Sequence, residues 1–198
     1  MKGNYRLKIW ESSLLFALCA ALCAGAWAQG RQQRISGSLV RLHVIAVSDA
    51  EYEQQLKLRV RDAVLGYLEP RLRGAESSAE AERIMAEELQ AIAEAAASVS
   101  EGRQVTVSLG RETYPIRYYG GFTLPAGEYR SLRVILGEGQ GQNWWCIAFP
   151  PLCLDAAQRE QVKSVMSEDD YALISGAEGY ELRFRIVELW GELMNMLN

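Results

Sequence analysis

The chain has 198 residues, with 21 Lys and Arg, 25 Asp and Glu, a single His and a net charge of −4. Removing residues 1–28 takes away three cations and one anion, which leaves 18 against 24 and a net charge of −6. That balance excludes a phosphate-neutralising nucleic-acid binder, which needs clustered cations, and disfavours docking on an anionic membrane surface.

The chain opens with MKGNYRLKIWESSLLFALCAALCAGAWAQ, in which Lys2, Arg6 and Lys8 precede an apolar run from Leu14. Ala26-Trp27-Ala28 then offers the small residues that a signal peptidase reads. Ser12 to Trp27 make 16 residues, about 24 Å of helix against a hydrocarbon core of about 30 Å. Residues 1–28 are therefore expected to be an export signal cleaved after Ala28, carrying Cys19 and Cys23 away; an uncleaved anchor is the alternative. Residues 29–38 read as a short polar linker, and 39–198 as a single domain long enough for a sizeable core.

Leu39 to Val47 has the branched composition of a central strand, interrupted by Arg41 and His43. Ser48 and Asp49 offer acceptors at the start of a helix over about 51–69, whose apolar face is Leu56, Val60, Ala63 and Tyr67 and whose end Pro70 suits. Ser77 and Glu80 form a capping box opening a second helix to about Ala97, with Ile84, Leu89 and Ile92 for packing. Val105, Val107 and Leu109 alternate with Thr106 and Ser108, the pattern of a half-buried strand. Residues 113–119 suggest a strand with an edge or bend at Pro115.

Turns follow at Gly120-Gly121 and Pro125-Ala126-Gly127. Tyr129 to Leu136 reads as a strand, Gly137, Gly139 and Gly141 as a loop, and Trp144 to Phe149 as the returning strand of a hairpin. Beyond Asp155 the chain reads as helical, ending in a segment that repeats Leu182, Ile186, Leu189 and Leu193. This order predicts an α+β domain, a mainly antiparallel sheet with helices packed on one face.

Catalytic readings find little support. The glycines at 137, 139 and 141 are followed by NWWCIAF rather than by a helix that could point its amides at a phosphate. His43 is the only imidazole, so a Cys146-His43 dyad is the one thiol arrangement available. Asp169-Asp170 and Glu87-Glu88 are sequence neighbours, for which solvated charge is the default. Two cysteines without a C-x2-C pair build no structural zinc site, so no metal or other cofactor is expected.

Cys146 and Cys153 stand seven positions apart, and bridging them requires a chain reversal at Pro150-Pro151; two buried thiols are the alternative. Trp144 and Trp145, adjacent on a strand, must point to opposite faces, so one of them presents a large rigid aromatic surface unless a helix or loop covers it.

The segments RLHVIAVSD, QQLKLRVRD, LPAGEYRSLRVILGEGQGQNWWCIAFPPLC and YELRFRIVELW, in that order, resemble stage II sporulation protein R of endospore-forming bacteria. Val47 departs from the common Asn of that family, which puts a polar role there in doubt, and Tyr114-Pro115 replaces its usual Phe-Pro. The resemblance implies a protein made in the forespore, exported into the space between the septal membranes, and required there to activate a membrane-embedded aspartic protease of the mother cell that processes the pro-sigma-E precursor. It implies a signal and not an enzyme.

On this reading the expected partner contacts are Asn143, Trp144, Trp145, Pro150 and Pro151, with Arg41 and His43 as further candidates. The alternatives are a secreted thiol hydrolase using Cys146 and His43 and a module that binds cell-envelope glycans.

Overall fold

A computed structural model describes residues 9–119, 122–150 and 158–175. It begins with one continuous helix, α1 (Ile9–Gly37). Its first part leaves Ile9, Trp10, Leu14, Phe16, Leu22 and Trp27 exposed, and it is long and apolar enough to cross a membrane. The linker expected at 29–38 is therefore helical as far as Gly37, and the reason is burial: Ile35 is fully enclosed by the domain.

Arg31 ties this end down, with Nη1 donating to Asp170 Oδ1 at 2.8 Å and Nη2 to Asp169 Oδ2 at 3.3 Å. Asp170 is thus buried and paired rather than solvated. Burial works to raise its pKa, but the Arg31 and Ser167 hydrogen bonds and the Arg34 charge prevail and hold it below the ordinary carboxylate range. A carboxylate depressed by folding contributes stability above its unfolded pKa of about 3.9, and that contribution is lost as pH falls through the lower folded value. Thermal unfolding followed from about pH 6 down to pH 2 should show this acid limb in the parent and a flatter one in Asp170→Asn. Parallel profiles would mean that the clasp contributes nothing.

After α1 come β1 (Val40–Ile45), α2 (Glu51–Leu72), α3 (Ser78–Glu87), α4 (Leu89–Ser98) and β2 (Val105–Tyr114). β3 (Arg117–Tyr119), β4 (Phe122–Leu124), β5 (Gly127–Leu136), β6 (Asn143–Phe149), α5 (Gln158–Val165) and α6 (Glu168–Ser175) complete the described elements. α2 buries Leu56, Val60, Val64, Leu68 and Leu72, an unbroken i+4 row, and tolerates Pro70 in its last turn.

Ser77 caps α3 by accepting from the Glu80 amide at 3.2 Å, while Glu80 reaches back to the Glu76 amide at 3.0 Å. The single helix expected here breaks at Glu88, whose carboxylate takes the Tyr67 hydroxyl and sits 3.6 Å from Arg71. Pro115 ends β2, as its missing amide proton requires.

The α+β class is borne out. The sheet runs β2-β5-β1-β6, with β1 parallel to β5 and the β1–β6 and β2–β5 pairs antiparallel. The hairpin expected between the strands at 129–136 and 144–149 does not form, because β1 lies between β5 and β6 and pairs with both. β3 and β4 make a separate two-stranded ribbon.

One face of the sheet is apolar. Val40, Leu42, Val44, Leu132, Val134, Cys146 and Ala148 meet the buried rows of α2, α3 and α4 there. The opposite face carries Arg41 and His43 among aromatic side chains. It is covered by the end of α1, the β3–β4 ribbon and α5–α6, through Ile35, Phe122, Leu124, Val162 and Ile174. The terminal helix expected at 180–197 lies outside the described residues.

Candidate functional site

β6 enters the sheet through a loop that the rest of the domain grips. The Gly141 amide donates to the Ala46 carbonyl at 2.9 Å, and the Gln142 amide to Asp49 Oδ1 at 2.7 Å. Buried Lys57 sends its Nζ to the Gln142 carbonyl at 2.9 Å and to Gln54 Oε1 at 2.6 Å. Burial pulls the Lys57 pKa down, the Asp49 charge opposes that shift, and Arg61 adds to it. Asp49, expected as a helix-start acceptor, serves this loop instead. The glycines permit its close approach: a Cβ at Gly141 would lie 2.4 Å from the Ser48 carbonyl oxygen.

Strand alternation then separates the tryptophans. Trp144 lies opposite Val44 and Trp145 opposite His43, so they occupy different faces. Trp144 keeps 37% of its surface exposed, with the Arg61 guanidinium 4.5 Å from its ring centroid. Trp145 is half-buried, packed against His43 at 5.4 Å and Tyr114 at 6.1 Å and capped by Arg117 at 3.8 Å. Asn143 is exposed.

The other candidates are under cover. His43 is buried, its Nδ1 2.8 Å from Glu112 Oε1 and its Nε2 2.9 Å from Asn143 Oδ1. Glu112 also accepts from Ser131 Oγ at 2.9 Å, and Ser131 Oγ lies 2.6 Å from the Tyr114 hydroxyl. This polar ladder joins all four strands and ends at Asn143 on the surface. Arg41 is fully buried, Nε donating to the Cys146 carbonyl at 3.3 Å and Nη2 to the Tyr119 hydroxyl at 2.7 Å. Tyr114, Tyr129 and Tyr119 ring centroids surround it at 4.1, 5.0 and 5.7 Å. Burial raises the pKa of all three phenols, the Arg41 charge working against the shift.

Pro150 is buried and follows a cis peptide bond, while Pro151 lies outside the described residues. Of the expected contact residues, then, Asn143 and Trp144 reach the surface, Trp145 does so in part, and Arg41, His43 and Pro150 do not. Glu112, Ser131 and Arg117 were not singled out by the sequence, and Tyr114 stood out only as a departure from the family's usual Phe. Their signal was the polar and aromatic side of β2 at Glu112 and Tyr114, which becomes legible only once β2 is known to extend past Leu109.

The thiol arrangement fails on register. Cys146 pairs with Leu42 and shares its face in the α2–α4 core, whereas the His43 imidazole is on the other side. Cys146 is moreover disulfide-bonded, and Cys19 and Cys23 are free. Its expected partner Cys153 lies outside the described residues. No group of three or more potential metal ligands occurs among the described residues.

The family model for stage II sporulation protein R (spore_II_R) matches residues 36–159. The stage II sporulation protein R of Bacillus subtilis (strain 168) is 37% identical over 171 residues, covering 82% of this chain and 76% of its own. No solved structure matches the chain significantly. The matched span runs from the docked end of α1 into α5 and so takes in the sheet, the polar ladder and the tryptophan strand: the chain belongs to the stage II sporulation protein R family.

Proposed function

We propose that the protein is the exported signal by which the forespore activates a membrane-embedded aspartic protease of the mother cell, which then processes the pro-sigma-E precursor. Family membership supports this reading, and so does the apolar amino-terminal helix, which suits a signal segment for delivery into the space between the septal membranes. The structural observation that carries it is the presentation of Trp144. A large aromatic side chain stands at the surface beside Asn143, on a strand held by Lys57, Asp49 and His43. Such rigid amphipathic side chains dominate binding energy at protein interfaces.

The protein acts by being recognised. A ligand shifts the protease toward its active arrangement only through tighter binding to that arrangement, and a tenfold shift takes about 1.4 kcal/mol. Co-expression with the protease and its precursor substrate tests the proposal. Precursor cleavage should appear only when all three are present. Cleavage without this protein, or retention of the protein on purified peptidoglycan with no effect on cleavage, would overturn it.

A further inference from the structure

The face of the sheet that carries Arg41 holds a charge imbalance. Eleven arginines whose side chains are described lie within 3.6 Å of a carboxylate, among them Arg31, Arg61, Arg103 and Arg133. Arg41 and Arg117 have no such partner among the described residues, although Arg41 is fully buried and Arg117 half-buried.

Each also has an orphan donor enclosed by protein: Nη1 of Arg41 and Nε of Arg117 have no hydrogen-bond acceptor among the described residues. The two cations share one aromatic box. Trp145 lies under Arg117 at 3.8 Å and against Tyr114 at 6.1 Å, and Tyr114 in turn stacks on Arg41 at 4.1 Å. Burial lowers the Arg117 pKa, with Tyr119 opposing and the like charge of Arg41 adding to the shift. Ring faces offset part of the cost of a buried cation, but they leave its N–H donors unsatisfied, and a buried unpaired charge is strongly unfavourable.

From these observations we infer a carboxylate-binding site between Arg41 and Arg117. One carboxylate supplies an acceptor oxygen for each orphan donor and a single negative charge among flat aromatic walls, which fits two donors better than a multiply charged phosphate does. Among the described residues β3 pairs only with β4, so Arg117 can adjust around a ligand without breaking the four-stranded sheet. The carboxylate is either a small organic acid or an Asp or Glu side chain on a partner segment. The site is built from this chain's own residues and stands or falls independently of the protease.

The test uses the full chain in detergent. Sodium acetate, sodium chloride at equal ionic strength, inorganic phosphate and an acidic hexapeptide are titrated against the arginine Nε–Hε NMR resonances and the unfolding midpoint. Acetate should move the Arg117 resonance saturably and raise the midpoint by about 4 °C at tenfold saturation, while chloride does neither. Arg117→Gln should lose both responses and keep the parent's circular dichroism, and Arg117→Lys should recover part of the midpoint rise. Tighter binding of the peptide than of acetate assigns the site to a partner segment, and equal binding assigns it to a small acid. A response shared with chloride, saturation by phosphate alone, or full retention in Arg117→Gln would overturn the assignment.

Discussion

Trp144→Ala is expected to reduce activation of the protease about thirtyfold or more while lowering the unfolding free energy by only about 1–2 kcal/mol. The two effects separate because of where the indole sits. Its contacts within the domain include the Arg61 guanidinium at 4.5 Å, and more than a third of its surface faces outward. The fold therefore loses a partial contact, whereas a partner loses a whole anchor.

Trp145→Ala should behave differently. That ring is wedged between His43, Tyr114 and Arg117, and its truncation should cost about 3–5 kcal/mol in stability, so that activation falls through unfolding. Urea denaturation of both variants alongside a reconstituted cleavage assay makes the comparison. If Trp144→Ala is folded and activates within twofold of the parent, the surface assignment is wrong.

Local signals in the sequence located most elements. The branched run of β1, the capping box at Ser77 and the alternation of Val105, Val107 and Leu109 each depend on neighbours within a few positions, and each is borne out. What escaped depends on contacts distant in the chain. β5 and β6 adjoin in sequence, yet β1 inserts between them, and nothing in the glycine loop encodes that choice.

Residues 29–37 look like a linker because Gln29, Arg31, Gln32 and Gln33 are polar. They are helical because Ile35 packs with Phe122 and Leu124 over the Arg41 face of the sheet and Arg31 reaches Asp170 across 139 positions. Arg41 is the plainest case. A lone arginine in a strand reads as a surface group, and it is buried because tyrosines from β2, β3 and β5 converge on it. Its burial is a property of the assembled sheet. That the two tryptophans occupy opposite faces was legible, since adjacent strand residues must face apart, but which of them keeps its surface exposed depended on what packs against each face.

Gly141→Ala is the second substitution with a large expected effect, because it acts on the joint between the fold and the tryptophan strand. The added Cβ would meet the Ser48 carbonyl oxygen at 2.4 Å, its carbon at 2.6 Å and Cα at 2.9 Å. All three are backbone atoms, so no side-chain rotation relieves the clash and the loop itself must move. Three contacts then loosen together: Gly141 to the Ala46 carbonyl, Gln142 to Asp49, and Lys57 to the Gln142 carbonyl.

The cost is about 1–3 kcal/mol by the measure of overpacked sites. Asn143 follows directly in the chain, so its bond to His43 Nε2 is lost next and the presentation of Trp144 with it. Activation should therefore fall further than the stability loss alone accounts for. Gly110→Ala is the control, since its Cβ would meet open space in β2, and it should stay within about 0.5 kcal/mol of the parent. Equal urea midpoints for the two variants would show that the loop yields freely, and that the grip on Asn143 and Trp144 comes from the sheet instead.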